Sequence, residues 1–469
     1  MVPWNVGKNT LTLIDGSKIA VIGAGPAGSF FSLFCSQLAK RKGLELSVTL
    51  FDWKDFSREG PQGCNLCAGV ISETLAKRLR ASGIVMPDEK VQRKIDGYFL
   101  QTKTGGFLLE HPLHEKKITT VFRGNGPKFS GQDGNISFDA FLLDHVQRHH
   151  GVRVVFQPVR EIILDSDPQM PARIAYGKKG RESTFEADLV VCAFGLNKNM
   201  MEKIRALEFG YRPPYTLSAS CLEIPLDRRF IQNRLGNNIF ICNWQTPSGI
   251  RIAGIIPKKN YVTVNIIGRG DVGKEDINSF FRLPAVRERL PRDWNRPGNL
   301  CRCFPKIATT ASRQPCTDRL VIIGDASCSR YYKNGIESAY FTALLAARTA
   351  VNLGISARAF QKGYFRQVKK TIIRDNLFGK VLFMIYNLVY ESAFFSEVLL
   401  QVVSTEKKKG ERKHMGEILW NLYTGNIPYA KIFCQLINPA LQAQLVFTTL
   451  KLALARVWTR FTRGKLDSI

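Results

Sequence analysis

The sequence predicts an α/β fold: one parallel sheet assembled from segments far apart in the chain, a second sheet inserted between them, and a helical C-terminal region. Three observations predict it. A strand–glycine–helix–strand unit opens the chain, an apolar strand ending in glycine covers residues 187–195, and a further strand with a Gly-Asp turn and a long helix begins at Arg319. Strands alternating with helices are the pattern of a doubly wound parallel sheet.

Taken in order, Lys18-Ile19-Ala20-Val21-Ile22 is an apolar run of strand length, followed at once by Gly23-Ala24-Gly25-Pro26-Ala27-Gly28 and a helix-like stretch over 29–34. The glycines do separate jobs: a tight turn, close backbone approach to a pyrophosphate, and close packing of helix on strand, with the phosphates at the helix N-terminus. A second strand over 46–51 ends in Asp52, placed to take the two ribose hydroxyls of an adenosine. The unit is Rossmann-type, and Gly23, Gly25, Pro26, Ala27, Gly28 and Asp52 are its candidate cofactor contacts. A second GxGxxG, Gly268-Arg269-Gly270-Asp271-Val272-Gly273, is followed by charged, proline-interrupted sequence with neither second strand nor terminal acid. It reads as a turn leaving a sheet, so a nicotinamide cofactor would visit only transiently.

Residues 319–353 decide the cofactor. The strand 319–323 runs into Gly324-Asp325-Ala326-Ser327, and Asn334-Gly335-Ile336 leads into a helical stretch from Glu337 to Leu353. This order resembles the second FAD motif of the p-hydroxybenzoate hydroxylase-type flavoproteins. The resemblance implies that Asp325 holds the ribityl chain and that the helix aims its N-terminal dipole at the flavin pyrimidine edge. It also implies that Arg123 lies near the FAD and that Lys333, Asn334, Gly335 and Ile336 lie close to the isoalloxazine. Residues 187–195 resemble the strand and turn that precede the substrate domain in that superfamily. Without the resemblance, Asp325 is a helix N-cap and Arg123 a surface arginine.

Between these motifs stand Gly63-Cys64-Asn65-Leu66-Cys67-Ala68-Gly69-Val70-Ile71-Ser72 and, later, Ala253-Gly254-Ile255-Ile256-Pro257-Lys258. With the two FAD motifs, this order resembles the geranylgeranyl reductase family across residues 15–355. Those flavoproteins carry a Cys-Gly-Gly segment near the flavin and a Trp-Ile-Phe-Pro-Lys-like strand lining the substrate tunnel. By likeness Cys67 matches the family cysteine and Gly69 one of its glycines. The chain departs in three places: Ala68 replaces a glycine, Cys64 is an extra cysteine, and Gly254 replaces the aromatic. A changed tunnel lining points to a different substrate. Cys67 and Cys64 are the candidate catalytic residues, because reducing an isolated alkene needs hydride from flavin and a proton for the other carbon. The plain alternative for Cys67 is a small buried hydrophobe.

The 469 residues suffice for two or three domains, and 45% hydrophobic with 23% charged content is ordinary for a folded protein. The formal charge of +28 is not ordinary, and residues 330–469 alone hold 21 lysines and arginines against 8 acids. Such a surplus suits a phospholipid surface or a diphosphate; with no recognisable binding module, no nucleic-acid partner is expected. A solvated basic face is the alternative. Residues 1–16 lack the pattern of a signal peptide, and no stretch holds 18 uncharged apolar residues. The eleven cysteines are scattered, as in a cytoplasmic protein with reduced thiols, here expected to be peripheral on the inner face of the membrane. Stretches 377–403 and 441–458 fit either amphipathic helices on a bilayer or helices packed on a core. The run from Glu406 to Lys413 between them reads as an exposed loop. Cys64, Cys67, Cys301 and Cys303 have tight CxC spacing and no histidine nearby, so no metal is expected.

The expected architecture is a Rossmann-type FAD domain from 1–92, 116–197 and 305–355, interleaved with a β-sheet substrate domain from 93–115 and 198–304, and a basic helical region over 356–469. The expected function is FAD-dependent reduction of C=C bonds in prenyl or other apolar substrates at a membrane surface. Electrons would come from NAD(P)H or a reduced ferredoxin-type protein. Two alternatives share the fold: a flavin-dependent monooxygenase, and a flavin/dithiol electron-transfer protein using Cys64 and Cys67 in a larger complex.

Overall fold

In the computed structural model of the chain, which describes residues 11–111, 118–131, 134–295, 297–332, 334–409 and 414–466, the run Lys18–Ile22 is a strand buried from Ile19 onward. Unbroken burial marks a central parallel strand covered on both faces. It pairs in parallel with Ser47–Phe51 on one side and Leu189–Cys192 on the other. Val152–Val155 and Leu320–Ile322 extend the sheet, and Cys316–Thr317 closes one edge antiparallel. Helix Pro26–Arg41 covers one face and packs along helix Gly335–Asn352. The other face meets an antiparallel sheet of Val159–Ile163, Ala172–Lys178 and Arg181–Ala187.

A second sheet of seven strands runs in the order Cys301–Cys303, Ser220–Pro225, Tyr261–Gly268, Gly249–Pro257, Asn238–Thr246, Gly97–Gln101 and Gly106–Glu110. Its faces follow the period-two rule. Phe240, Cys242 and Trp244 join a core with helix Lys274–Arg282, whereas Ile239 and Ile241 face the opposite side. The second GxGxxG is the turn leaving this sheet, and Arg251 shapes it. That fully buried guanidinium takes the carbonyls of Arg269 at 2.6 Å, Gly270 at 3.2 Å and Asp271 at 3.0 Å. It also holds both oxygens of Asp276 at 3.0 Å. The carbonyls of this turn are thus gathered around a buried cation.

The C-terminal helices Asp375–Glu391, Ala393–Lys409, His414–Thr424, Tyr429–Leu436 and Pro439–Leu466 pack over the second face of the seven-stranded sheet. Tyr98, Leu100, Ile241 and Ile256 from the sheet share one core with Phe383, Tyr386, Val402, Leu419 and Leu441. One stretch resolves into two helices, and one local expectation is corrected. The stretch 377–403 breaks at Ser392, whose extended backbone ends one helix while its hydroxyl accepts the Phe395 N–H at 3.3 Å. The rod Ala357–Glu391 and the following helix consequently bend by 105°. The charged run, expected as an exposed loop, is helical where it is described: the helix continues through Lys409, and buried Glu406 accepts the N–H groups of Met415 at 2.8 Å and Gly416 at 3.1 Å. A buried helix start needs such acceptors. Residues 410–413 lie outside the described residues. Among the described residues, no single helix is long and apolar enough to cross a membrane.

Candidate active site

The carboxyl ends of the parallel strands border a cavity of about 730 Å³, where open α/β sheets bind ligands. Sterics dictate the glycines. Gly23 has φ +103° and a Cβ there would stand 2.6 Å from the Ala193 carbonyl oxygen; a Cβ on Gly28 would stand 1.9 Å from the Gly23 oxygen. Gly25, Pro26 and Ala27 line the cavity at the start of a helix that has no side-chain cap, which leaves its first amides for an anion. Asp52, in the same wall, accepts the N–H of Ala24 at 2.8 Å and of Lys54 at 3.0 Å. Burial raises its pKa, and the backbone donors oppose that rise.

Asp325 and Gly324 lie in the wall opposite. Asp325 Oδ1 is enclosed and has no hydrogen-bond partner, and burial pushes the carboxyl up to about 6 against the pull of Arg123. An orphaned acceptor inside a polar cavity fits a ligand rich in hydroxyls. Gly335 and Ile336 start the next helix beside it, and a Cβ on Gly335 would come 3.7 Å from Asp325 Oδ1. Asn334 has left-handed backbone at φ +50°, and its amide nitrogen donates to Glu337 at 3.0 Å, Thr424 O at 3.2 Å and Gly425 O at 3.3 Å. Lys333 lies outside the described residues.

Arg123 is not a surface arginine. It is buried in a bidentate pair with Asp139, at 2.6 and 2.9 Å. Asn65 donates to the same carboxylate at 2.5 Å, while Lys54 donates to Cys64 O at 2.7 Å and Asn65 Oδ1 at 3.3 Å. Burial lowers the Lys54 pKa. Lys54 and Asp139 thereby lash the cysteine segment against the cavity. Arg330 lines the same cavity and donates to the carbonyls of Gly425 and Ile427, with its guanidinium 4.1 Å above the Tyr429 ring. Sequence reasoning missed Lys54, Asn65, Asp139 and Arg330. The one available signal was a basic residue two places after the terminal acid.

The two candidate cysteines have different surroundings. Cys67 lines the large cavity and also a second one; Cys64 lines neither. Burial pushes the Cys64 thiol up to about 11, and its sulfur accepts the Leu66 N–H at 3.3 Å. Leu66 has φ +51°, so the segment is an irregular turn rather than a helix N-terminus. The second cavity, about 200 Å³, shares Cys67, Ala68, Asn265, Tyr332, Asn334, Gly335 and Ile336 with the first. It continues between sheet residues Ile239, Ile252, Gly254 and Ile256 and C-terminal residues Phe383, Tyr386 and Tyr423. A Cβ on Gly254 would meet Ile241 Cδ1 at 3.3 Å, so this glycine opens the chamber. Tyr423 donates to Tyr386 at 2.7 Å and Tyr386 to Asn243 Oδ1 at 2.8 Å, and burial raises both phenols.

No family model and no curated protein matches the chain. Solved structures do match. A flavoprotein/dehydrogenase from Cytophaga hutchinsonii superposes with a TM-score of 0.62 at 16% identity, covering 93% of this chain and 100% of that one. A geranylgeranyl bacteriochlorophyll reductase-like protein from Thermoplasma acidophilum gives 0.59 at 16% identity over 79% and 87% of the two chains. A flavin-dependent brominase gives 0.54 at 15% identity over 92% and 93%. These likenesses show the fold, which the chain shares with flavoproteins that include a geranylgeranyl bacteriochlorophyll reductase-like protein and a flavin-dependent brominase.

Proposed function

We propose that the chain is an FAD-dependent oxidoreductase that reduces a C=C bond in an apolar substrate. The observation carrying this reading is the apolar chamber that continues from the cofactor cavity, with Cys67 in the shared wall. The residues fit FAD. The glycine turn and helix start would take the pyrophosphate, Asp52 the ribose hydroxyls, orphaned Asp325 Oδ1 the ribityl hydroxyls, and the Gly335 helix start the ring edge. When bound, the flavin supplies two-electron hydride chemistry that side chains lack. The chain holds the alkene in a mostly apolar chamber and delivers the proton. Cys67 Sγ accepts the Gly69 N–H at 3.5 Å, leaving its S–H free to donate.

Chamber size narrows the substrate. At about 200 Å³ it slightly exceeds an engineered cavity of about 150 Å³ that binds benzene. It takes a ring or a short branched alkene end, not a twenty-carbon chain whole. Ring-sized space and a fold shared with an aromatic monooxygenase favour hydroxylation as the second reading.

The test is anaerobic. The FAD-loaded protein is titrated with NADPH, NADH and a reduced ferredoxin, then with dithionite, and an apolar alkene is added to the bleached sample. Colour returning without oxygen, with saturated product, is expected. Hydroxylated product, formed only once oxygen is admitted and in proportion to the flavin reoxidised, would favour hydroxylation instead. Failure to take up FAD would overturn both.

A further inference from the structure

We propose that helices Asp375–Glu391 and Pro439–Leu466 dock this protein on an anionic lipid bilayer. Among the described residues, thirteen of the twenty-two exposed large apolar side chains fall after residue 376. They are ordered. Leu377, Val381, Met384 and Leu388 recur every three or four residues, with exposures of 61, 38, 49 and 53%. Such spacing puts them on one side of the helix. The opposite side buries Leu382, Phe383, Tyr386 and Tyr390, and Phe383 and Tyr386 are walls of the apolar chamber. One helix therefore separates the chamber from an outward apolar stripe. Phe378 carries the stripe onto Phe433 of the neighbouring helix at 5.6 Å, beyond which Ile437 is exposed.

The longer helix repeats the arrangement. Val446, Phe447, Leu450, Leu454 and Val457 are all more than half exposed, while Leu441 is buried in the shared core and Leu445 and Leu452 pack against it. Both stripes are fixed to a packed body, so they are not loose tails.

Charge identifies the occupant. Arg366, Lys369, Lys370, Arg374 and Lys380 are exposed along the rod that carries the first stripe, and Lys451 is exposed within the second. Asp375, the acid between Arg374 and Lys380, is engaged by the N–H groups of Tyr429 and Ala430 at 2.9 Å each, and the rod's other acid, Glu391, is exposed at its far end. Apolar stripes bordered by lysine and arginine match the boundary of an anionic membrane. A second copy fits worse, because a two-fold contact across the stripe would set this basic border against itself. The docking stands apart from the proposed reaction, although it would deliver apolar substrates to the chamber wall.

The experiment is flotation of the full chain with vesicles of phosphatidylcholine alone or mixed with phosphatidylglycerol, for wild type, Leu377→Glu/Leu388→Glu and Val446→Glu/Leu454→Glu. The altered side chains are exposed, so FAD uptake and circular dichroism serve as folding controls. Wild type is expected to float with the mixed vesicles and less so in high salt, with each double variant at least ~10-fold weaker. Wild type that fails to float, or variants that float equally well, would overturn the proposal. So would a dimer that Leu388→Glu dissociates without any vesicle binding. A protein that floats but reduces no alkene loses only the proposed reaction.

Discussion

Asp325→Asn tests the cofactor cavity through two effects of opposite sign. In the cofactor-free protein the carboxyl climbs from its ordinary 3.8 to about 6 because burial penalises its charge. That climb corresponds to about 3 kcal/mol against the ionised form. One edge of the side chain faces the cavity, where water enters, so about 1–2 kcal/mol is the working figure. The folded protein holds this proton longer than the unfolded chain does, and stability therefore falls as pH rises from about 4 to about 6 and stays reduced above. Asparagine removes the charge at constant shape. The cofactor-free variant should be about 1–2 kcal/mol more stable than wild type above pH 6 and equal to it near pH 4. FAD affinity should move the other way, about 10- to 100-fold weaker, because hydrogen bonds to a charged acceptor are lost. Urea unfolding of apoprotein across this pH range, with flavin fluorescence titrations, reads both. A variant less stable than wild type above pH 6, or one that binds FAD equally well, would refute the account of Asp325 as an acceptor waiting for hydroxyls.

Three further outcomes are expected. Cys67→Ala should slow anaerobic flavin reoxidation by alkene about 100-fold or more with FAD retained, whereas Cys64→Ser should leave that rate unchanged; equal losses in stopped-flow absorbance would instead favour a dithiol relay. Gly254→Leu should fill the chamber and weaken binding of a small apolar ligand at least ~10-fold without touching FAD affinity, as measured by calorimetry. Arg251→Met strands the Asp276 carboxylate and three carbonyls, and should cost about 3–5 kcal/mol in urea unfolding; a loss below 1 kcal/mol would show that this buried cation is dispensable.

The parts legible in the sequence are those whose cause is local. A strand of five residues, a glycine turn and a helix start lie within a dozen positions, and steric limits at Gly23 and Gly28 write themselves into residue identity. The chamber was not legible. Its walls come from residues near 67, 239–256, 332 and 383–423, and no period links them. Arg123 could not be separated from a surface arginine, because its partner Asp139 is identified only by the fold. The break at Ser392 carries a local signal, a capping residue inside an apolar stretch. Glu406 carries none: a run of like charge suggests solvent, and nothing local shows that its first carboxylate turns inward to two amides.

The clamp on Arg330 and Asn334 sets a schedule for the growing polypeptide. The carbonyls that hold them belong to Thr424, Gly425 and Ile427, 90 to 97 positions downstream. A nascent chain that has cleared the ribosome through residue 355 owns the glycines and both carboxylates of the cavity but lacks the loop that finishes its far end. At about 5–20 residues per second, the missing stretch of about seventy residues takes several seconds to arrive. The finished geometry of this end of the cavity thus waits for the loop from Thr424 to Ile427 to be translated.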